Sequence, residues 1–152
     1  KWNFIDGSRQ AVGGASYGGH LASWMQGNTS HYKCIINHAG LVNSEVQWGT
    51  SDGIYGREVM NGGLPWEKTK TFTEQNPIRF AANFKTPMLL TVGENDYRVP
   101  INNTLENWSI HQRLQIPSKL IVFPGENHWI LNPDNSKFHY AEIQGWLAKY
   151  LN

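Results

Sequence analysis

Three residues in this chain have the types and the order needed for acyl transfer: Ser16 in a glycine-rich turn, then Asp96, then His128. A serine hydroxyl is a poor nucleophile until a base takes its proton. A neutral imidazole does this near pH 7, and a carboxylate fixes the imidazole tautomer and stabilises the imidazolium. Ser16 stands in Gly13-Gly14-Ala15-Ser16-Tyr17-Gly18-Gly19, after the apolar pair Ala11-Val12 and before His20-Leu21-Ala22-Ser23-Trp24-Met25, which reads as a helix. Strand, sharp glycine turn and helix form the context in which G-x-S-x-G is a nucleophile elbow. Gly14 and Gly18 are expected to let strand and helix approach without a Cβ clash, and Gly19 to let the first helical turn pack closely. Ser16 would then sit in a tight turn with its hydroxyl lifted clear of the sheet edge. An ordinary strand-to-helix turn with an incidental serine carries the same letters, so the motif needs its partners.

Rivals exist for each partner. Among the other histidines, His20 lies on the helix after Ser16, His31 and His111 read as surface positions, and His139 opens or precedes the last helix. His38 ends a strand and is the best competitor as base, but it comes before the acid in the chain. Asp52 and Asp134 lie in irregular segments, where a solvated carboxylate is the default. Glu94 and Glu126 flank the acid and the base and read as supporting loop groups. The order Ser, Asp, His is that of the α/β-hydrolase triad and differs from the two other common serine-protease orders. No close His, Cys or carboxylate cluster has metal-ligand spacing, so neither a metal nor another cofactor is expected.

The elements that must position these residues follow from the apolar runs. A strand is expected near 9–13, a helix over 18–26 stopped by Gly27-Asn28, and a buried strand over 32–37 centred on Cys34-Ile35-Ile36. Residues 40–72 are the least periodic and read as a long excursion with short helices over the site rim. A proline-opened turn at 77–81 precedes the clearest buried strand, 87–93. A helix over 100–114 has Ile101, Leu105 and Trp108 on one face. A strand at 119–123 follows, and a closing helix over 138–151 has Phe138, Ile143, Trp146, Leu147 and Tyr150 as its core stripe. Strands apolar throughout and alternating with helices predict a mostly parallel sheet with helices on both faces, an α/β fold. Ser16, Asp96 and His128 each follow a strand, and the carboxyl ends of parallel strands are where such sheets bind ligands.

Length and composition set limits. The 152 residues suit one modest domain. Thirteen basic against twelve acidic residues leave a net charge of +1, with no basic run to favour nucleic acid. No apolar run approaches the roughly 20 residues of a membrane span. The single cysteine, Cys34, excludes an intrachain disulfide and reads as a buried strand residue. Seven tryptophans suit either aromatic-lined pockets or a well-packed core.

With these residues in place, the chain resembles the C-terminal half of the catalytic domain of the prolyl oligopeptidase family, which includes dipeptidyl peptidases and acylaminoacyl peptidases. The resemblance covers nearly the whole chain. Its marks are Gly14-Ala15-Ser16-Tyr17-Gly18-Gly19, Asn76-Pro77-Ile78-Arg79-Phe80, Thr86-Pro87-Met88-Leu89-Leu90 and Gly93-Glu94-Asn95-Asp96-Tyr97-Arg98-Val99-Pro100, with His128 at the expected remove. The resemblance implies an α/β-hydrolase fold with Ser16 as nucleophile, Asp96 as orienting acid and His128 as general base. It also implies an oxyanion donor from the Tyr17 N–H, a substrate-carbonyl contact from Arg98, and a wall of the primary specificity pocket at Val99. For Arg98, a loop salt bridge with a neighbour such as Glu94 is the plain alternative. The family's domain has strands before the elbow, an upstream His-Gly segment with the second oxyanion donor, a glutamate pair for the substrate N-terminus and a β-propeller. None of these is in the sequence, so residues 1–152 are expected to be one part of a larger peptidase domain.

The leading expectation is a serine peptidase acting on short peptides through an acyl-enzyme. A carboxylesterase on the same fold, a non-catalytic relative, and a piece inert by itself are the alternatives. The sequence leaves residue preference, exo- or endopeptidase action, oligomeric state and compartment open.

Overall fold

The computed structural model describes residues 3–152. Its elements, in chain order, are β1 (Ala11–Ala15), α1 (Tyr17–Asn28), β2 (Cys34–His38), α2 (Ser44–Thr50), α3 (Ile54–Asn61), α4 (Lys70–Thr73), β3 (Met88–Gly93), α5 (Ile101–Arg113), β4 (Ser118–Phe123) and α6 (Pro133–Leu151). Two short 3₁₀ segments, Pro65–Glu67 and Pro77–Asn83, interrupt the excursion between β2 and β3. The four strands pair in parallel in the order β1-β2-β3-β4. A parallel pair cannot be joined by a tight turn, so each connection crosses a sheet face and carries its helix there.

The period-2 alternation of the strands divides the core into two layers. Val12, Ile35, Met88, Leu90 and Leu120 face one side, packed with Ala22 of α1 and Trp108 of α5. Ala11, Cys34, Ile36, Leu89 and Ile121 face the other, under Ile143, Trp146, Leu147 and Tyr150 of α6. Strand β3 is buried along its whole length. Each large apolar side chain there contributes about 1.5–3 kcal/mol relative to exposure. Cys34 is free and buried in the second layer, where burial pushes its thiol pKa up. The chain has the expected α/β architecture, a parallel sheet with helices on both faces.

Four expectations need correction. Helix α6 begins at Pro133, not near 138, because Asn132 caps it by accepting from the Asp134 and Asn135 N–H groups and proline is suited to the first helical position. His139 therefore lies inside the helix, and it takes the core-stripe position one turn before Ile143 that had been given to Phe138. Phe138 is half exposed, although its ring meets Phe123 edge-on at 6.2 Å. In α5, Leu105 is exposed, and the fully buried positions are polar: Asn103, Thr104, Asn107 and His111. His111 is thus no surface residue. Its Nδ1–H donates to the Asn107 carbonyl at 2.8 Å, and its Nε2 accepts from the Gln26 amide at 3.0 Å.

Candidate active site

The elbow is built by the short turn between β1 and α1. Ser16 has φ 56° and ψ −117°, a backbone conformation that costs a non-glycine residue about 1–3 kcal/mol and that recurs at functional sites. Its N–H donates to the His38 carbonyl of β2 at 3.0 Å. A Cβ at Gly14 would lie 2.3 Å from the backbone of Gly18, so Gly14 permits the close approach of strand and helix. Gly18 is different from expectation, since a Cβ there would meet nothing within 4 Å. Buried Asn37 fixes the start of α1 from below. Its amide donates to the Gly19 carbonyl and to Ser23 Oγ, both at 2.8 Å, and its oxygen accepts the Gly40 N–H at 3.1 Å.

Asp96 lies just beyond β3 with its side chain fully buried. One carboxylate oxygen accepts the N–H groups of Arg98 and Val99, each at 2.9 Å. The other lies 2.7 Å from His128 Nδ1. That Nδ1 therefore carries the hydrogen, which leaves Nε2 free as an acceptor. The loop bearing His128 is held by Glu126, whose carboxylate accepts from the Leu131 and Asn132 N–H groups and from the Asn135 amide at 2.8–3.0 Å. Those bonds hold the Glu126 carboxyl below the ordinary carboxylate range, the Asn135 amide foremost. The same loop crosses the end of β3 so closely that a Cβ on Gly93 would lie 2.0 Å from the Asn127 carbonyl oxygen.

Ser16 and His128 line one cavity of about 440 Å³, together with Tyr17, Leu41, Gln47, Arg57, Arg98 and Val99. Among the described residues Ser16 Oγ has no hydrogen-bond partner, and serine–histidine bonds of this kind often close only when substrate is bound. Tyr17 is the first residue of α1, so its N–H has no acceptor within the helix and belongs to the positive end of the helix dipole. A second cavity, of about 510 Å³, is lined by Gly13, His38, Trp129, His139 and Tyr140 and contains none of Ser16, Asp96 or His128.

The excursion closes the front of the first cavity with α2 and α3. Arg98 pairs with Asp52 and not with Glu94, at 2.8 and 3.2 Å; Glu94 accepts the Gly125 N–H instead. Arg57 donates to the Arg98 carbonyl at 3.0 Å, and its buried Nε has no hydrogen-bond partner among the described residues. Burial and the neighbouring Arg98 charge lower its pKa. The guanidinium groups that line this cavity are those of Arg57 and Arg98, the second of them paired with Asp52. His38, the rival base, is buried with both ring nitrogens engaged. Among the described residues no group of three or more His, Cys, Asp or Glu is placed to hold a metal, and no helix is long and apolar enough to cross a membrane. Sequence reading gave no sign of Asn37 or Gly93 as positioning residues. For Glu126 its neighbourhood to His128 was the available signal.

Known proteins resemble this chain in sequence and in fold. A model of the prolyl oligopeptidase family matches residues 1–152. Dipeptidyl-peptidase 5 of Porphyromonas gingivalis is 31% identical over 153 residues, which cover 97% of this chain and 22% of that protein. Dipeptidyl-peptidase 5 of Schizosaccharomyces pombe is 31% identical over 150 residues, again 97% and 22%. Among solved structures, the acylaminoacyl peptidase of Pyrococcus horikoshii superposes with a TM-score of 0.88 at 22% identity, over 96% of this chain and 24% of that one. A puromycin-hydrolyzing peptidase of Mycobacterium tuberculosis gives 0.88 at 21% identity, over 97% and 22%. The chain thus spans about a fifth of the length of the curated relatives it matches. With the whole of its sequence matched by the family model, this chain belongs to the prolyl oligopeptidase family.

Proposed function

We propose that residues 1–152 are part of the catalytic domain of a serine peptidase that cleaves short peptides through an acyl-enzyme, with Ser16 as nucleophile, His128 as general base and Asp96 as its orienting acid. The observation that carries this reading is the Asp96–His128 pair. It fixes the imidazole tautomer and leaves Nε2 as the acceptor nitrogen of a residue that lines the same cavity as Ser16. Relatives named as dipeptidyl and acylaminoacyl peptidases support the peptide substrate, and their greater length supports the reading of the chain as one part of a larger domain.

In the proposed cycle His128 Nε2 takes the Ser16 hydroxyl proton as Oγ bonds to the scissile carbonyl carbon, and the carbonyl oxygen gains negative charge. The Tyr17 N–H donates to that oxyanion, which is worth a few kcal/mol of barrier. The C–N bond then breaks as protonated His128 passes its proton to the leaving amine, which leaves the acyl group on Ser16 Oγ. A water, deprotonated by His128, attacks the ester carbon, and the proton returns to Ser16 as the acid departs. Arg98 at the cavity wall would donate to a substrate carbonyl, and Val99 would bound the pocket for the side chain before the cut. Turnover of peptide p-nitroanilides against p-nitrophenyl esters by the full-length protein and its Ser16→Ala variant tests this. Anilide cleavage that Ser16→Ala abolishes is expected, whereas turnover of esters alone would move the assignment to an esterase.

A further inference from the structure

His38 ends β2 and touches both halves of the site. Its carbonyl accepts the Ser16 N–H at 3.0 Å, and its Nε2 lies 3.2 Å from the His128 carbonyl. On the other side of the ring, Nδ1 lies 2.9 Å from Thr91 Oγ1, which in turn lies 3.1 Å from His139 Nε2. His38 and Thr91 are register partners on adjacent strands, and the strand alternation points both toward α6, which supplies His139.

The proton positions in this chain are forced. A carbonyl only accepts, so His38 Nε2 carries its hydrogen. In a neutral ring Nδ1 then accepts, and Thr91 must donate its hydroxyl hydrogen to it. Thr91 Oγ1 is left to accept from His139 Nε2–H. The donors run one way, from α6 through β3 and β2 to the loop that carries His128.

We propose that His38 is a positioning residue: its backbone holds the Ser16 turn and its ring holds the His128 loop, so this one residue sets the separation of nucleophile and base. The inference rests on the assignment of Ser16 and His128 given above. The neutral ring it requires is favoured by the surroundings. Burial first, and then the neighbouring His139, push the His38 pKa down to about 4, with His128 and Asp96 as the other ionisable groups acting on it. With both ring nitrogens engaged, His38 has no free nitrogen with which to serve as base itself.

The test uses the full-length protein and two pairs of variants. His38→Leu removes the ring donor and keeps the carbonyl, whereas His38→Gln retains an amide that can donate to a carbonyl and accept from Thr91. Thr91→Val removes the hydroxyl and Thr91→Ser keeps it. The readouts are the rate of Ser16 labelling by a fluorophosphonate, kcat and KM on a peptide anilide, and melting temperature. A base displaced by less than an ångström costs on the order of 10–100-fold in rate, so His38→Leu and Thr91→Val should lose that much in labelling and kcat, with KM within about threefold. His38→Gln and Thr91→Ser should regain most of it. Equal losses in both members of each pair, or wild-type labelling rates in His38→Leu and Thr91→Val, would overturn the inference alone. Should His38→Leu fail to fold, the Thr91 pair decides by itself. A wild-type protein unlabelled at Ser16 would overturn the nucleophile assignment and this inference with it.

Discussion

Replacing Asp96 by asparagine separates orientation from folding. The buried carboxylate serves three donors: the Arg98 and Val99 N–H groups at 2.9 Å on one oxygen, and His128 Nδ1 at 2.7 Å on the other. An alanine would leave two backbone donors without acceptors, at about 1–3 kcal/mol each, and would confound chemistry with unfolding. Asparagine keeps its oxygen on Arg98 and Val99, because only an acceptor fits there, and so must turn its NH₂ toward His128. Imidazole can meet that NH₂ only with an unprotonated Nδ1, which moves the hydrogen to Nε2, the atom that should take the Ser16 proton. The wrong tautomer costs about 10⁴-fold in kcat in serine proteases where it has been imposed, or about 5.5 kcal/mol of barrier. Steady-state kinetics of the full-length Asp96→Asn variant on a peptide anilide, with melting monitored alongside, should show that loss at nearly unchanged KM and stability. A kcat within tenfold of wild type would refute the tautomer argument.

Other outcomes follow from the same geometry. Gly93→Ala would place a Cβ 2.0 Å from the Asn127 carbonyl oxygen, so the loop carrying His128 must shift; melting temperature should fall with a loss of about 1–3 kcal/mol, and an unchanged melting temperature would contradict the contact. Buried His38, with its pKa pushed down to about 4 against 6.5 when unfolded, stays neutral in the fold while the unfolded chain binds a proton. Its contribution is therefore complete above pH 6.5 and is lost as pH falls toward 4, by about 3 kcal/mol in all. Urea midpoints should drop between pH 7 and 4.5, less so in His38→Gln. The Arg98–Asp52 pair is largely exposed and is worth under about 1 kcal/mol, so Arg98→Ala should leave melting nearly unchanged and raise KM several-fold if it meets substrate, as kinetics at saturating and limiting peptide will show.

Much of the architecture could be read from local pattern. Continuous apolar runs such as Met88-Leu89-Leu90 are what a strand buried on both faces requires, and the glycine turn around Ser16 names its own geometry. What escaped reading is polarity used as structure. The buried face of α5 carries Asn103, whose side-chain oxygen accepts the Val42 and Asn43 N–H groups at 3.3 and 3.1 Å, and Asn107, whose amide donates to Ser23 Oγ at 3.2 Å. Hydrophobic periodicity cannot register such a face, because its residues meet polar partners, the backbone after β2 for Asn103 and side chains of α1 for Asn107 and His111. Partners distant in sequence were equally hidden. Asp52 meets Arg98 across 46 positions, and nothing in either neighbourhood announces it. The start of α6 was readable, since Asn132-Pro133-Asp134 is a capping sequence, but the apolar stripe begins later and drew the boundary with it.

The most direct test of the proposed chemistry is fluorophosphonate labelling of the full-length protein, with the modified peptide mapped by mass spectrometry. The account predicts a single adduct on Ser16, absent in Ser16→Ala and suppressed in His128→Ala. A folded protein that carries no label at Ser16 would contradict it.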